Sequence, residues 1–451
     1  MNKLIFAIIS VVAIFLSAAD AHGLSGSWRG SLDLGQMKLP LTFNFTETPS
    51  GETLCTMDSP SQGAKGIATE VVLCTSDTIS IKCNAIMASY TGKISNGTIK
   101  GVFSQRGIAI PLDLTPDNPD DNRRPQTPIP PFPYSAIDTT FTAQDGAVMA
   151  ATLTIPPNAC SKKIPAVVMV TGSGPQNRDE EYCEHKPFAV IADYLTRNGI
   201  ASLRYDDRGT GKSTGDFITS STLTFKDDAV SGIEFLRSMR CIGPVGVLGH
   251  SEGGTIAFII GSEGKADFII SLAGMAISGK ETMMRQNEQN LDKLNLSEVN
   301  KANSLKLIDI VFDEMATQTK QGVSKPINID DLVANNNLSV PQMVTQSLKM
   351  TQKTRGPWVD TLITLNPREF LGSVKCPVLA INGTKDTQVY PDNLKVINEH
   401  IPQAETKLMP GLNHLLQHAA TGEVSEYDEI RETISPEVLD AIGLFIKNNY
   451  K

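Results

Sequence analysis

Gly249-His250-Ser251-Glu252-Gly253, with Gly254 behind it, is the stretch whose residue types and spacing most directly suggest chemistry. An apolar run of strand length precedes it at residues 244–248, and residues 255–260 can continue as a helix. Between a strand and a helix, G-x-S-x-G forms a nucleophile elbow, because the glycines leave room for a strained turn that lifts the Ser hydroxyl above the sheet. A Ser hydroxyl is nearly inert at neutral pH, so attack on a carbonyl requires a His to take its proton and a carboxylate to orient that His. The expected chemistry is acyl transfer with Ser251 as nucleophile.

After such an elbow the acid precedes the base along the chain. Residues 376–382 read as a strand followed by Gly383-Thr384-Lys385-Asp386, so Asp386 is the expected acid, with Asp392 nearby. Three histidines follow Ser251: His400, His414 and His418. Pro391 can open a helix running to about His400, residues 405–410 read as a strand, and Gly411-Leu412-Asn413-His414 is the loop beyond it. His414 therefore lies roughly 30 residues past Asp386, the span of one short strand–helix–strand unit. His400 comes too early and His418 one helical turn too late.

Acyl transfer also needs donors for the developing oxyanion. One is expected from the backbone N–H of Glu252, the residue after the nucleophile. The other should come from the loop after the first core strand, Thr171-Gly172-Ser173-Gly174-Pro175, where the Ser173 N–H is chosen and Gly174 is the alternative. A second loop, Asp206-Asp207-Arg208-Gly209-Thr210-Gly211-Lys212-Ser213, ends like a phosphate-binding loop. Its position five residues before Gly211 carries Asp206 instead of Gly, which opposes phosphate.

Beyond Ile164 apolar strands alternate with helices, the signature of a mostly parallel sheet. Strands are read at 164–170, 199–205, 244–249, 267–272, 376–382 and 405–409, with helices at 186–197, 225–239 and 436–447. Phe225, Ala229, Gly232, Ile233 and Leu236 share one face of the second helix. From about 275 to 370 the alternation stops and Leu291, Leu294, Leu305, Ile308, Phe312 and Met315 recur at helical spacing, as in an inserted cap over the site.

Ahead of this α/β part, residues 22–115 carry short alternating runs with a strong Asn96-Gly97 hairpin signal, which predicts a small antiparallel all-β domain, a meander or barrel. Residues 116–133 are rich in Pro and read as a stiff linker. Residues 1–21 combine Lys3, an apolar stretch and Ala19-Asp20-Ala21, the pattern of a secretory signal peptide, so a periplasmic or secreted location is expected, with no membrane span after cleavage. The chain of 451 residues is 40% apolar and carries a net charge of −9, without a basic cluster, which argues against nucleic-acid binding. The seven cysteines show no C-x-x-C spacing, so no metal site is expected; Cys74 with Cys83, or Cys160 with Cys183, are the plausible disulfides. No cofactor is expected.

From about Tyr134 to Lys451 the chain resembles the α/β-hydrolase superfamily, and within it the EstD-type bacterial carboxylesterases, often grouped with serine peptidases of the prolyl-oligopeptidase clan. The resemblance rests on Gly172-Ser173-Gly174-Pro175 with Arg178-Asp179, on the loop from Asp207 to Ser213, on the elbow, on Pro377-Val378-Leu379-Ala380 through Asp386-Thr387-Gln388-Val389, and on Gly411-Leu412-Asn413-His414. It implies an α/β-hydrolase fold over 134–451, hydrolysis of small acyl esters through an acyl-enzyme, Ser251 as nucleophile, His414 as base, Asp386 as orienting acid, and a structural role for the Asp207 loop. Thr171 departs from the His that many relatives carry there. The competing readings are a serine peptidase of the same fold and, in another class, an inactive envelope- or carbohydrate-binding protein.

Overall fold

The computed structural model describes residues 24–34, 38–60, 64–117, 124–157, 159 and 162–450. The expected signal peptide lies outside them. The chain divides into two compact units, Met1–Asp121 and Asn122–Lys451. Among the described residues no helix is long and apolar enough to cross a membrane.

The first unit is a nine-stranded antiparallel sheet: β1 (Gly26–Asp33), β2 (Lys38–Glu47), β3 (Thr53–Ser59), β4 (Ala64–Ala68), β5 (Glu70–Cys74), β6 (Thr78–Cys83), β7 (Ala88–Ser95), β8 (Thr98–Gln105) and β9 (Ile108–Pro116). The strand order is β4-β3-β2-β1-β9-β8-β7-β6-β5. Its two edges, β4 and β5, are separated in sequence by Thr69 alone, so the sheet must curl until they adjoin, close to a barrel. The curled interior is filled by side chains, among them Phe43, Ile79, Ile81, Tyr90, Ile99 and Leu114. Asn96 and Gly97 turn β7 into β8 with φ of 49° and 72°, the two positive values that a tight twisted hairpin requires.

The second unit holds an eight-stranded sheet formed by β10 (Ser135–Thr142), β11 (Val148–Ile155), β12 (Ile164–Val170), β13 (Ala201–Tyr205), β14 (Ile242–His250), β15 (Ile269–Leu272), β16 (Val378–Gly383) and β17 (Glu405–Met409). Its order is β10-β11-β13-β12-β14-β15-β16-β17. The pairs β10/β11 and β11/β13 are antiparallel and all later pairs are parallel. Parallel strands buried on both faces need continuous apolar runs, and β12 has one, its Ala166, Val168 and Val170 packing on one side and Val167 and Met169 on the other.

Helices cover both faces. The sheet's first side receives α2 (Thr222–Arg237), α3 (Glu252–Ser262) and α9 (Asn393–His400), and the second receives α1 (Pro187–Arg197) and α10 (Pro436–Asn449). Pro187 and Pro436 occupy first-turn positions, where a missing N–H costs nothing. Ser221 starts α2 by a reciprocal hydrogen-bonded cap with Thr224.

Between β15 and β16 the chain makes five helices: α4 (Gly279–Asp292), α5 (Glu298–Lys320), α6 (Ile329–Asn335), α7 (Gln342–Lys353) and α8 (Pro357–Thr364). They enclose their own apolar cluster, with Leu291, Ile308, Phe312 and Met315 buried and Leu294 and Leu305 at its margin.

Within the stretch read as a stiff linker, the buried Arg124 guanidinium donates to the carbonyls of Cys183, Asp428 and Ile430 at 2.7–3.2 Å. One sequence expectation changes. Cys74, Cys83 and Cys183 are thiols, so neither proposed disulfide forms, and Cys241 is the described cysteine that is disulfide-bonded. Cys160 lies outside the described residues.

Gly253 brings α3 against β12, and a Cβ there would run into the backbone carbonyls of Val170 and Thr171. Gly253→Ala is expected to cost on the order of 3 kcal/mol, read as a lowered urea midpoint with an unchanged slope.

Candidate active site

Ser251 follows β14 at φ 53° and ψ −117°, a conformation that an L-residue adopts only where its surroundings impose it. Its N–H donates to Leu272 O at 2.8 Å, and its carbonyl accepts from Gly254 N at 3.0 Å. The side chain is thus raised off the strand end and half-buried. Gly172 backs against it so closely that a Cβ at Gly172 would sit 3.3 Å from Ser251 Cβ. Glu252 is the first residue of α3, so its backbone N–H has no partner within the helix.

Of the two loop donors considered, Ser173 lines the same cavity as Ser251, whereas Gly174 lines a separate small void behind it. The Gly172 N–H is already taken by Glu180 Oε1 at 2.7 Å. Thr171, in place of the His expected from relatives, donates its hydroxyl to Asp207 at 2.8 Å and stays below the cavity.

Asp386 sits in the loop after β16, and His414 in the loop after β17. His414 Nδ1 lies 2.9 Å from Asp386 Oδ2, in a pair that is almost wholly buried. Three further donors hold the carboxylate: Asn382 Nδ2 on Oδ2, and the Gln388 and Val389 N–H groups on Oδ1, each at 2.9 Å. The carboxylate accepts, so Nδ1 carries the proton and Nε2 is left as the basic nitrogen. Nε2 has no hydrogen-bond partner among the described residues, nor has Ser251 Oγ. Both residues line one cavity.

The other candidates go elsewhere. His400 caps its own helix through Val396 O, exposed His418 pairs with Glu432, and Asp392 pairs with Arg285. Asn382, the first residue of an N-x-T sequon, spends its amide on Asp386 and Val389 O. In the loop resembling a phosphate site, Asp206 fills the space itself, accepting from Arg178 and the Lys212 N–H.

The structure adds a pair that the sequence did not single out. His250, next to the nucleophile, places Nδ1 2.9 Å from Glu180 Oε1 and Nε2 2.9 Å from His414 O. Both contacts are with acceptors, so both ring nitrogens donate and the ring is an imidazolium. Burial opposes its charging, but the Glu180 carboxylate, the His414 carbonyl and Asp386 outweigh that and push its pKa up to about 8. Glu180 and His250 thereby tie the Gly172 loop, the elbow and the His414 loop together. The one hint in sequence was a titratable residue inside the elbow; its partner is 70 residues away.

The cavity has a volume of about 380 Å³. Met275, Met283, Trp358, Leu362 and Val389 form one apolar cluster in its wall, to which α4 and α8 contribute, and Leu415 and Val424 add further apolar lining. Among the described residues no group of three or more His, Cys, Asp or Glu is placed to hold a metal ion. The arrangement brings a raised hydroxyl and an oriented imidazole to one cavity that Ser173 also lines.

The family model described as serine aminopeptidase, S33, matches residues 182–419, more than half of the chain. Esterase EstD of Thermotoga maritima is 30% identical over 194 residues, 42% of this chain and 42% of that protein. An acyl transferase of Photobacterium phosphoreum is 29% identical over 123 residues, 27% of this chain and 38% of that one. The chain thus spans about two fifths of the length of these curated relatives. Among solved structures, the Pyrococcus furiosus esterase Pf2001 aligns with a TM-score of 0.44 at 16% identity, over 70% of this chain and 91% of that one.

The raised pKa of His250 carries a sign. Its contribution to stability is complete below the ordinary His value of 6.5 and is lost as pH rises through about 8. In urea titrations from pH 6 to 9, the wild-type protein should lose on the order of 2 kcal/mol relative to Glu180→Gln. A difference independent of pH would contradict the charged-pair reading.

Proposed function

The chain belongs to the serine aminopeptidase S33 family, and on that premise we propose that it is a serine carboxylesterase that hydrolyses small acyl esters through an acyl-enzyme. The observation that carries the reading is the buried Asp386–His414 pair, whose remaining nitrogen shares a cavity with the strained Ser251. Ser251 Oγ attacks the ester carbonyl while His414 Nε2 takes its proton. The Asp386 carboxylate holds Nδ1–H and stabilises the imidazolium. The Glu252 and Ser173 N–H groups receive the negative charge on the carbonyl oxygen. The imidazolium then protonates the departing alcohol, and water repeats the sequence to release the acid and regenerate Ser251. The similarity to esterase EstD supports esters as the substrate class.

Helices α4–α8 act in this reading as a cap that shapes substrate access, with Thr282, Met283 and Gln286 reaching the cavity from α4 and Trp358 and Leu362 from α8. Residues 1–21 serve as a signal for export, and the disulfide at Cys241 fits an oxidising compartment.

The family's description favours one second reading, an aminopeptidase. Such an enzyme needs an anion for the substrate's free ammonium group, and the acidic residue lining the cavity, Glu180, already holds His250 and the Gly172 N–H.

Ser251→Ala should lower kcat on p-nitrophenyl acetate by about 10⁴-fold or more while circular dichroism stays unchanged. Activity near the wild-type level in that variant, or no wild-type labelling by a fluorophosphonate, would remove the serine mechanism. Side by side, p-nitrophenyl esters should turn over and aminoacyl p-nitroanilides should not; faster anilide cleavage would favour the aminopeptidase.

A further inference from the structure

Trp358, on α8, is one of two tryptophans in the chain. Its half-buried ring belongs to the apolar cluster of Met275, Met283, Leu362 and Val389. Its indole N–H donates to both carboxylate oxygens of Glu252, at 3.0 and 2.9 Å. Glu252 is 2% exposed, and Thr222 Oγ1 donates to the same carboxylate at 2.6 Å. A buried carboxylate is costly to leave unpaired and its hydrogen bonds are charge-assisted, so this contact holds the indole firmly. The inserted helix is thereby fastened to the residue that follows the nucleophile.

His414 must face the leaving oxygen to protonate it, so the alcohol half of an ester lies on the side of His414. The lining there mixes Gln388 and the Tyr427 hydroxyl, to which Gln388 Nε2 donates at 3.0 Å, with Leu415 and Val424. The compact apolar cluster of Met275, Met283, Trp358, Leu362 and Val389 is left for the acyl half.

We propose that Trp358, fixed by Glu252, is the specificity-determining wall of an apolar acyl subsite, so that the preferred esters carry an uncharged acyl chain of a length that a cavity of about 380 Å³ admits. This rests on the esterase reading and names its substrate class. Trp358 acts by contact with the chain, and Glu252 is a positioning residue that acts through the indole.

Two measurements test it. The first compares kcat/KM for p-nitrophenyl octanoate and acetate in the wild-type protein and in Trp358→Phe, which keeps an aromatic ring but removes the N–H. Wild type should favour octanoate, and the variant's octanoate-to-acetate ratio should fall about tenfold, mainly through KM for octanoate. An equal loss on both esters would reduce Trp358 to a structural role and overturn the proposal.

The second needs no turnover. In Trp28→Phe, Trp358 is the remaining indole, and its emission should change saturably with octanamide but not with acetamide. Absence of a saturable change overturns the subsite even where the esters are hydrolysed. Octanamide binding in a protein that hydrolyses neither ester would uphold the subsite and defeat the esterase reading.

Discussion

One backbone constraint governs the second unit: Ser251 must sit at a positive φ where a strand becomes a helix. A non-glycine residue stays there only if its neighbours leave no alternative. Leu272 O fixes its N–H, and the packing of Gly253 against β12 fixes the helix that follows. That close approach exists because β14 lies between β12 and β15 in a parallel register. The same parallel arrangement delivers the loops after β16 and β17 to the rim where β14 ends, which is how Asp386 and His414 come to share a site.

Around that rim, charge is handled by pairing. Asp386 accepts four hydrogen bonds, Glu252 is held by an indole and a hydroxyl, and Glu180 by an imidazolium and a backbone N–H. Each buried carboxylate thus has its desolvation offset by donors from a different segment. Asp207 also has two donors, the Thr171 hydroxyl and the Gln176 N–H, but burial and its neighbours Glu180 and Glu252 push it well above the usual carboxylate range.

Much of the sheet was legible because doubly buried strands write themselves as unbroken apolar runs. The apolar run at 164–170 coincides with β12 and the other core strands differ only at their ends, while the polar edge strand β17 falls on 405–409 without being such a run. The choice of Asp386 and His414 needed only the order of elements and one strand–helix–strand interval. Side-chain partnerships leave no such periodic trace. His250 and Glu180 are 70 residues apart and Glu252 and Trp358 are 106 apart, so neither pair could be read before the fold brought them together. The cysteines misled for a similar reason, since closeness in sequence placed Cys74 and Cys83 together while both remain thiols.

The grip of Arg124 on three carbonyls sets where the α/β part can be separated from what precedes it. Compositional reading puts the cut after the prolines, near residue 134, yet a chain begun there would lose the Arg124 guanidinium that donates to the Cys183, Asp428 and Ile430 carbonyls. Two of those carbonyls lie just beyond Tyr427, whose side chain lines the cavity, and the third is three residues from Glu180. Removing Arg124 therefore slackens two of the segments that wall the cavity, from a position far outside its rim in sequence.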